Sequence, residues 1–437
     1  MVNLLYKGTS SEVTSKRSVE VRRIRLLGVL PILTRPIFGL AFLVTVWVPF
    51  QALADQIIPS ARVTSSVQIR EAPIGGSSPI IGRLRPNQSA RLIKSVPYYF
   101  HIQTDEGIRG FVSKAWTKRV PSGNSDSTAS SAGVLSVHFL DVGQGDATLL
   151  VCPNGNTMLI DAGSTSDGSS VLTRNYLVSV IEPLGLNLNY LIVSHPDTDH
   201  YNWLPDVLDQ IPIGAALYVG DVNDYADQTI FRWMQTVPTM SHLLRVNDVD
   251  ASDAPNEDID CGQAEVWVLA AGIEAPNSRK NAMSIVLMVR YGDFETVLAG
   301  DATHATENSI LARYPAEWLD VDVLKIGHHG SLATSTSKRW ADTLRPKIAI
   351  ASASYRSSHG HPRQEVIARL VPYTIEVPAH PVRTASKSDS PGRRYIFRTE
   401  EAETEGIYTT STNGNVVVTS SGQGFEIAID QGRELDE

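Results

Sequence analysis

Four side chains that can bind a metal ion lie within six consecutive positions of the sequence. They are the imidazoles and carboxylates of His195, Asp197, Asp199 and His200. The apolar run 190–193 directly before them predicts a buried strand, and the loop after a strand can bring such side chains together. Imidazole and carboxylate ligands together suit Zn, Mn or Fe(II). A lone histidine near a strand is usually packed or solvated, but four potential ligands in six positions predict a metal site.

Three more apolar runs are each followed by residues of the same chemical types. These residues are Asp161 after 158–160, Asp301 after 296–299, and His328 with His329 after 323–326. An aspartate near a glycine is a turn residue far more often than a ligand. Each string is therefore weak evidence by itself, whereas the strings taken together and in this order are specific.

The elements that must position these residues alternate between strands and helices. Further buried strands are predicted at 137–140, 147–151, 285–289 and 348–351, and helices at 170–185 and 363–370. Such alternation along residues 134–385 predicts an α/β fold with sheets covered by helices. With 437 residues, 24 Pro, 31 Gly and 19% charge, the chain is not collagen, a coiled coil or wholly disordered.

The N-terminal residues 1–54 have the pattern of a secretory signal peptide. Four arginines between positions 22 and 35 precede an uncharged apolar run at 36–50, and small residues at 52 and 54 provide a cleavage site. The alternative is an uncleaved anchoring helix, which needs about 20 apolar residues, and Arg35 and Pro36 interrupt any longer run. We therefore predict an extracytoplasmic protein, periplasmic or secreted, with no membrane span after cleavage. It is membrane-anchored if the leader is retained.

Removal of that leader leaves 31 basic and 45 acidic residues, a net charge of −14. Such a surface repels polyphosphate backbones unless metals or a local basic groove compensate, which argues against tight nonspecific DNA binding. The two cysteines cannot make a disulfide scaffold or a four-thiolate zinc site. In an oxidising compartment they could form a Cys152–Cys261 bridge.

The segments on either side of the α/β region have different patterns of apolar and polar residues. Residues 56–120 alternate apolar and polar side chains over short stretches, which predicts a small all-β barrel. The strings 69–73, 81–84 and 110–112 resemble a bacterial SH3 domain, which implies a binding module for the cell wall or a stabilising appendage.

Residues 121–133 are small and polar and predict a flexible linker. Residues 386–437 predict a C-terminal β extension that closes with a hairpin at the Asn-Gly pair 413–414.

The order of the ligand strings resembles the metallo-β-lactamase superfamily over about 134–380. The string 139–147, the His-x-Asp-x-Asp-His cluster and the His-His-Gly-Ser string at 328–331 are similar to the extracytoplasmic domain of ComEC-type DNA-uptake proteins. The resemblance implies an αββα sandwich with a binuclear metal site at one edge of the paired sheets.

The same resemblance implies a role for each residue. His195 and Asp197 would hold the first metal, while Asp199, His200 and one of His328 or His329 would hold the second. Asp301 would bridge the two ions, and Asp161 would orient ligands from behind. Asp146 and His361 would lie near the substrate.

Two departures from the superfamily concern the first metal. Asp197 stands where histidine is usual, although the competence-type group shares this change. Where the superfamily usually supplies a further histidine, this sequence has His242, in an unrelated context, and the string 281–284, in which Asn281 would take that position. Oxygen-rich coordination favours Mn²⁺ or loosely held Zn²⁺ and leaves occupancy by one metal possible.

The expected chemistry is hydrolysis, with Asp199 orienting or deprotonating water and His361 donating to a phosphoryl oxygen or the leaving group. Two divalent ions about 3.5–4 Å apart lower the pKa of a shared water to about 7. The first hypothesis is phosphodiester hydrolysis, with DNA as the substrate that the resemblance implies. The second is another extracytoplasmic ester, such as a phosphorylcholine or teichoic-acid-like group, or a lactone or lactam. The third is a non-enzymatic wall-binding protein.

Overall fold

The structure is a computed structural model of the chain. It describes residues 55–430, except for 61–62, 74–77, 97–98, 115, 121–132, 238, 241, 248–254, 257, 277–278, 356, 390–393 and 403–404. The predicted leader and nearly all of the predicted linker lie outside the described residues. Among the residues that are described, no helix is long and apolar enough to cross a membrane.

The N-terminal part forms one antiparallel sheet of seven strands in the order β3-β2-β6-β5-β4-β1-β7. Its strands are β1 (Gln56–Pro59), β2 (Val67–Arg70), β3 (Ile80–Leu84), β4 (Ala90–Val96), β5 (Tyr99–Thr104), β6 (Arg109–Ser113) and β7 (Thr117–Val120). Buried and less buried residues alternate along β1 and β2, because one face of each strand covers a small core that includes Ile57, Ile69 and Ile102.

The second sheet has eight strands in the order β13-β12-β11-β10-β9-β8-β22-β23. They are β8 (Leu135–Phe139), β9 (Gly145–Val151), β10 (Thr157–Ser164), β11 (Leu188–Val193), β12 (Ile213–Tyr218), β13 (His242–Arg245), β22 (Asn415–Ser420) and β23 (Glu426–Asp430). The third sheet has six strands in the order β14-β15-β16-β17-β18-β21. They are β14 (Glu265–Ala270), β15 (Val286–Tyr291), β16 (Phe294–Leu298), β17 (Val323–Lys325), β18 (Ile348–Ala351) and β21 (Ile407–Thr409). A separate antiparallel pair is formed by β19 (His380–Lys387) and β20 (Tyr395–Ala402).

The second and third sheets pack face to face, and helices cover both outer faces. The helices are α1 (Ser170–Ile181), α2 (Thr198–Tyr201), α3 (Leu204–Val207), α4 (Thr229–Thr236), α5 (Arg279–Ala282), α6 (His304–Arg313), α7 (Lys338–Leu344), α8 (Gln364–Leu370) and α9 (Thr410–Asn413). One core cluster lies between the sheets, a second under α6, α7 and α8, and a third under α1, α3 and α4. This αββα layering confirms the predicted fold. It also explains why β15 and β16 are buried throughout, since each of their faces meets a core.

The predicted C-terminal hairpin was wrong. The Asn-Gly pair does not join two paired strands, because β21 lies parallel to β18 in the third sheet while β22 lies against β8 in the second. The side chain of Asn413 instead accepts a hydrogen bond from the Thr409 amide at 2.8 Å and closes the short helix α9. The actual hairpin is β22–β23, so the C-terminal segment completes both sheets of the sandwich.

A disulfide bond joins Cys152 to Cys261, so the bridge that the sequence left open is present in the structure. Cys152 follows β9 of the second sheet, and Cys261 precedes β14 of the third. The bond therefore links the two sheets across a sequence separation of 109 residues. A crosslink that closes so long a loop restricts the unfolded chain strongly.

Because His138 on β8 is buried, we expect the stability of the folded protein to fall in acid, whether or not a metal is bound. Its ring is buried between the Ser136 and Tyr176 hydroxyls, at 2.8 and 2.9 Å. Burial lowers the pKa of His138 from 6.5 to about 4. The unfolded chain therefore binds the proton more readily, and His138 costs about 3 kcal/mol of stability as the pH falls from 6.5 to 4. Urea unfolding across that window should show a weaker pH dependence in His138→Gln than in the wild type. An unchanged slope would contradict the assignment.

Candidate metal centre

The predicted ligands converge at one edge of the sandwich, where strands of both sheets end. His195 follows β11, Asp301 follows β16 and His329 follows β17. Because β10 runs parallel to β11, and β16 to β17, the loops after these strands meet at the same edge. The Ile285 amide donates to the Ser194 carbonyl at 2.8 Å and joins the two sheets there.

Two groups of ligand atoms near Asp301 share His200. In the first, the Nε2 atoms of His200 and His195 lie 3.3 and 3.8 Å from the Asp301 carboxylate. In the second, the Nε2 atom of His329 lies 3.3 Å from Asp199 Oδ2 and 3.5 Å from Asp301 Oδ2. Asp301 therefore lies between the two groups, at the position that the resemblance implies for a bridging ligand.

Four of these ligand atoms are buried and make no hydrogen bond within the described part of the chain. They are Nε2 of His195, His200 and His329, and Oδ1 of Asp301. Buried polar atoms are nearly always hydrogen-bonded, because an atom without a partner loses its hydrogen bonds to water and gains none inside the protein. Three imidazole nitrogens and a carboxylate oxygen that point at one another are satisfied together by a divalent cation. The residues present therefore fit a metal ion.

The charges at the site also favour a cation. Burial alone would raise the pKa of Asp301, but His329, His200 and His328 hold it well below its usual range. Burial would also raise the pKa of Asp199, but the adjacent His329 imidazole and the charge of His200 lower it. Both carboxylates are therefore ionised at neutral pH.

The Nδ1 atoms of the histidines are held from behind, so that their Nε2 atoms face the centre. Asp161 Oδ2 lies 2.7 Å from His200 Nδ1, and the Ser352 carbonyl lies 2.7 Å from His329 Nδ1. Ser194 Oγ lies 3.1 Å from His195 Nδ1 and donates to Asp161 at 2.5 Å. Such partners orient metal-binding imidazoles. The structure places Asp161 behind the ligands as expected, whereas Ser194 and Ser352 were not predicted; Ser194 adjoins the ligand string and could have been found.

The structure distinguishes the two adjacent histidines. The His329 ring is 2% exposed and belongs to the second ligand group. The His328 side chain is 21% exposed, with Nε2 3.7 Å from Asp301 and Nδ1 2.6 Å from the Thr334 hydroxyl. Both residues have positive φ values, 47° and 53°, which turn consecutive side chains toward one region. The geometry favours His329 as the ligand.

Asp197 lies at the more open side of the site. Its Oδ2 is 3.7 Å from His195 Nε2, and its Oδ1 is 3.6 Å from the Lys280 ammonium. The neighbouring Asn281 is buried, and its Nδ2 atom lies 3.5 Å from Asp301 Oδ2 and 3.2 Å from His328 Nε2. Asn281 therefore lies beside Asp301 and His328 at the edge of the site. Lys280 was not singled out from the sequence.

Asp146, which the resemblance places near the substrate, is buried in the structure. Its carboxylate is 2% exposed and forms a buried ion pair with Lys325. The Lys325 ammonium also donates to the Gly300 carbonyl at 3.4 Å, one residue before Asp301. The pair lies beneath the metal-binding edge because Asp146 is on β9 and Lys325 ends β17.

His361 lies beside the site, with its ring centre 6.3 Å from that of His329 and 5.7 Å from that of His328. Burial and the neighbouring charges of His329 and His328 lower the pKa of His361 to about 3. Its Nδ1 is buried without a hydrogen bond in the described structure. His304 begins α6, and His242 begins β13 at the edge of the second sheet; neither belongs to a ligand group.

This fold and this site define a metallo-β-lactamase domain. Residues 140–351 match the sequence profile of the metallo-beta-lactamase superfamily, whose members are generally metal-dependent hydrolases, and this part of the chain belongs to that superfamily. Within it, the domain is homologous to the ComEC-type competence family. The chain is 27% identical over 254 residues to ComE operon protein 3 of Bacillus subtilis and 30% identical over 241 residues to Recombination protein 2 of Haemophilus influenzae.

Each alignment covers 55% of this chain but only 31% and 27% of the two relatives, so the chain spans less than a third of their length. Among solved structures, a diphosphatase of the PhnP family aligns with 68% of this chain and all of its own, at 12% identity and a TM-score of 0.35.

Proposed function

We propose that this chain is an exported metal-dependent phosphodiesterase. The observation that carries the proposal is the convergence of four unpaired buried ligand atoms at the edge of a metallo-β-lactamase fold, next to the Lys280 ammonium. A diester of phosphoric acid is anionic at neutral pH, so a cation beside the ligands suits it better than a neutral ester or lactam. The metals proposed are two divalent ions, Zn²⁺ or Mn²⁺, with occupancy by one ion left open if Asn281 takes the position of a histidine ligand.

His195 and Asp197 would hold one ion, Asp199, His200 and His329 the other, and Asp301 both. When bound, the ions supply Lewis-acid stabilisation of the phosphoryl oxygens and an activated water. The ionised Asp199 accepts a hydrogen bond from the attacking water and orients it. His361 is neutral at pH 7, so it donates an N–H hydrogen bond to a phosphoryl oxygen rather than a full proton to the leaving group.

Export and the choice of substrate belong to the same proposal. The Cys152–Cys261 bond supports an oxidising compartment outside the cytoplasm. DNA is the first phosphodiester to test, because the chain is similar to proteins named for competence and recombination. The seven-stranded N-terminal sheet remains a candidate for attachment to the cell wall.

The test is elemental analysis of the purified protein together with hydrolysis of a bis-aryl phosphodiester before and after chelation. We expect bound metal and activity that is lost on chelation and restored by Mn²⁺ or Zn²⁺. A lactam, a lactone and single-stranded and double-stranded DNA are compared under the same conditions. If the protein binds metal but hydrolyses only the lactam or the lactone, it is a hydrolase of that class of substrate and not a phosphodiesterase. Absence of metal even after reconstitution would leave a non-enzymatic binding protein.

Lys280 should determine the preference for anionic substrates. Replacing it by methionine removes the positive charge beside Asp197 while keeping the length of the side chain. We expect KM for the bis-aryl phosphodiester to rise about fivefold to tenfold with kcat little changed, since one partly exposed charge contributes about 1 kcal/mol. Lys338→Met, at an exposed lysine on α7, is the matched control and should leave KM unaltered. Equal KM values for Lys280→Met and the wild type would remove Lys280 from the substrate site.

A further inference from the structure

A cleft of about 460 Å³ lies between the N-terminal sheet and the metallo-β-lactamase domain. Its lining includes Lys114, Lys118 and Arg119 from the N-terminal part, and Arg290 and Glu265 from the third sheet. The volume is in the range of small-molecule sites, about 300–1,000 Å³. Four cations around one cleft are unexpected in a chain whose formal net charge is −9.

The cleft is remote from the metal centre. Arg290 lies near the end of β15, just before the turn into β16, whereas Asp301 follows the opposite end of β16. The five residues of β16 span about 17 Å at roughly 3.3 Å per residue. A ligand in the cleft would therefore not touch the metal-binding residues.

Lys114 is a buried cation that lies beside two aromatic rings. It is 5% exposed, and its ammonium lies 5.2 Å from the centre of the Phe100 ring and 5.5 Å from that of Trp267. Among the described residues it forms no ion pair, although the charge of Glu265 favours its protonated form. Burial lowers the pKa of Lys114. Aromatic faces attract an ammonium but do not replace a hydrogen-bond acceptor.

Arg290 brings a second incompletely satisfied cation to the same cleft. It is 8% exposed, and its Nη2 donates to the Lys114 carbonyl at 3.2 Å and to Glu295 at 3.1 Å. Its Nη1 is buried and lacks an acceptor among the described residues.

The two cations at the rim have partners, since Lys118 pairs with Asp293 at 3.5 Å and Arg119 pairs with Asp55. Lys114 is therefore the cation of the cleft that forms no ion pair among the described residues, and Nη1 of Arg290 is the buried donor that lacks an acceptor there.

We propose that this cleft binds a small oxyanion, a phosphate or carboxylate group, between the Lys114 ammonium and Arg290 Nη1. A buried charge without a partner is costly, and an anion that supplies both charge and acceptor oxygens removes that cost. The bound anion would contact residues of both the N-terminal sheet and the third sheet. It would therefore also stabilise the contact between these two sheets.

The test is isothermal titration of the full chain with inorganic phosphate and, in a separate arm, with acetate. The His200→Ala variant is titrated in parallel to separate this cleft from the metal centre. We expect binding in both proteins, and at least a tenfold weaker affinity in Lys114→Met. Lys94→Met, at an exposed lysine of the same sheet, is the matched control and should bind as the wild type does. A tighter phosphate complex would assign a phosphorylated ligand, and a tighter acetate complex a carboxylate.

The stability of the ligand-free protein gives a second readout. If the buried ammonium destabilises the ligand-free protein, Lys114→Met should unfold at the same or a higher urea concentration than the wild type in phosphate-free buffer. Phosphate should stabilise the wild type but not this variant. Should Lys114→Met fail to fold, Lys118→Met at the rim is titrated instead and should bind about threefold more weakly. Absence of binding by the wild type, or wild-type affinity in both Lys114→Met and Lys118→Met, would overturn the proposal.

Discussion

Replacing Asp301 by asparagine is expected to remove both metal binding and the proposed phosphodiesterase activity. Asp301 is 2% exposed and lies within 3.8 Å of the Nε2 atoms of His195, His200, His328 and His329. Asparagine has nearly the same shape but no negative charge. The variant therefore tests the charge with little change in packing. We expect a loss of hydrolysis on the order of a thousandfold, or about 4 kcal/mol of transition-state stabilisation.

The measurements are the metal content per chain and the turnover of a bis-aryl phosphodiester at saturating Mn²⁺ or Zn²⁺. His242→Asn is the matched control, because His242 begins an edge strand outside both ligand groups and should keep metal and activity. The ligand-free Asp301→Asn variant should remain folded, as judged by urea unfolding. Normal metal content with normal turnover in Asp301→Asn would refute the assignment of the centre.

The second large effect concerns the buried ion pair beneath the site. Replacing Lys325 by methionine leaves the Asp146 carboxylate buried without its partner, and removal of one member of such a pair costs about 3–5 kcal/mol. The free energy of unfolding, measured in urea, should fall by that amount. Activity should fall as well, because the Lys325 ammonium also contacts the Gly300 carbonyl next to Asp301.

The double variant Lys325→Met/Asp146→Leu separates the charge from the shape. Replacing both members by apolar side chains of similar size is often nearly neutral, so much of the lost stability should return. The interaction free energy from the double-mutant cycle should therefore be large. If the double variant were as unstable as the sum of the two single variants, the pair would not be coupled in the way that the structure indicates.

Most of the α/β fold could be predicted from the sequence because its signals are local. Apolar runs predicted eight strands of the sandwich, and the spacing at 170–185 and 363–370 predicted α1 and α8. The C-terminal hairpin failed for a non-local reason. The Asn-Gly pair is a turn signal in isolation, but β21 and β22 pair with strands more than fifty residues away in different sheets. Pairing of that kind is decided by the packed core.

The candidate site divides in the same way. The types and spacing of His195, Asp197, Asp199 and His200 indicated a metal without any structure, since the chemistry of a ligand resides in its own side chain. The roles of Asp146, Lys325 and Lys280 depended on which side chains meet, and the sequence carries no signal for that. Nothing in the sequence indicated that the Asp146 carboxylate forms a buried ion pair with Lys325.

By itself, the sequence determined the class of the protein, the chemical identity of its ligands and the order in which they occur. Only the tertiary structure decided that His329 rather than His328 belongs to a ligand group, that Cys152 meets Cys261, and that Lys114 is buried beside two aromatic rings. The physical reason is distance along the chain. Secondary structure and ligand chemistry arise within a few residues, whereas burial and pairing depend on contacts that form only when the sheets pack together.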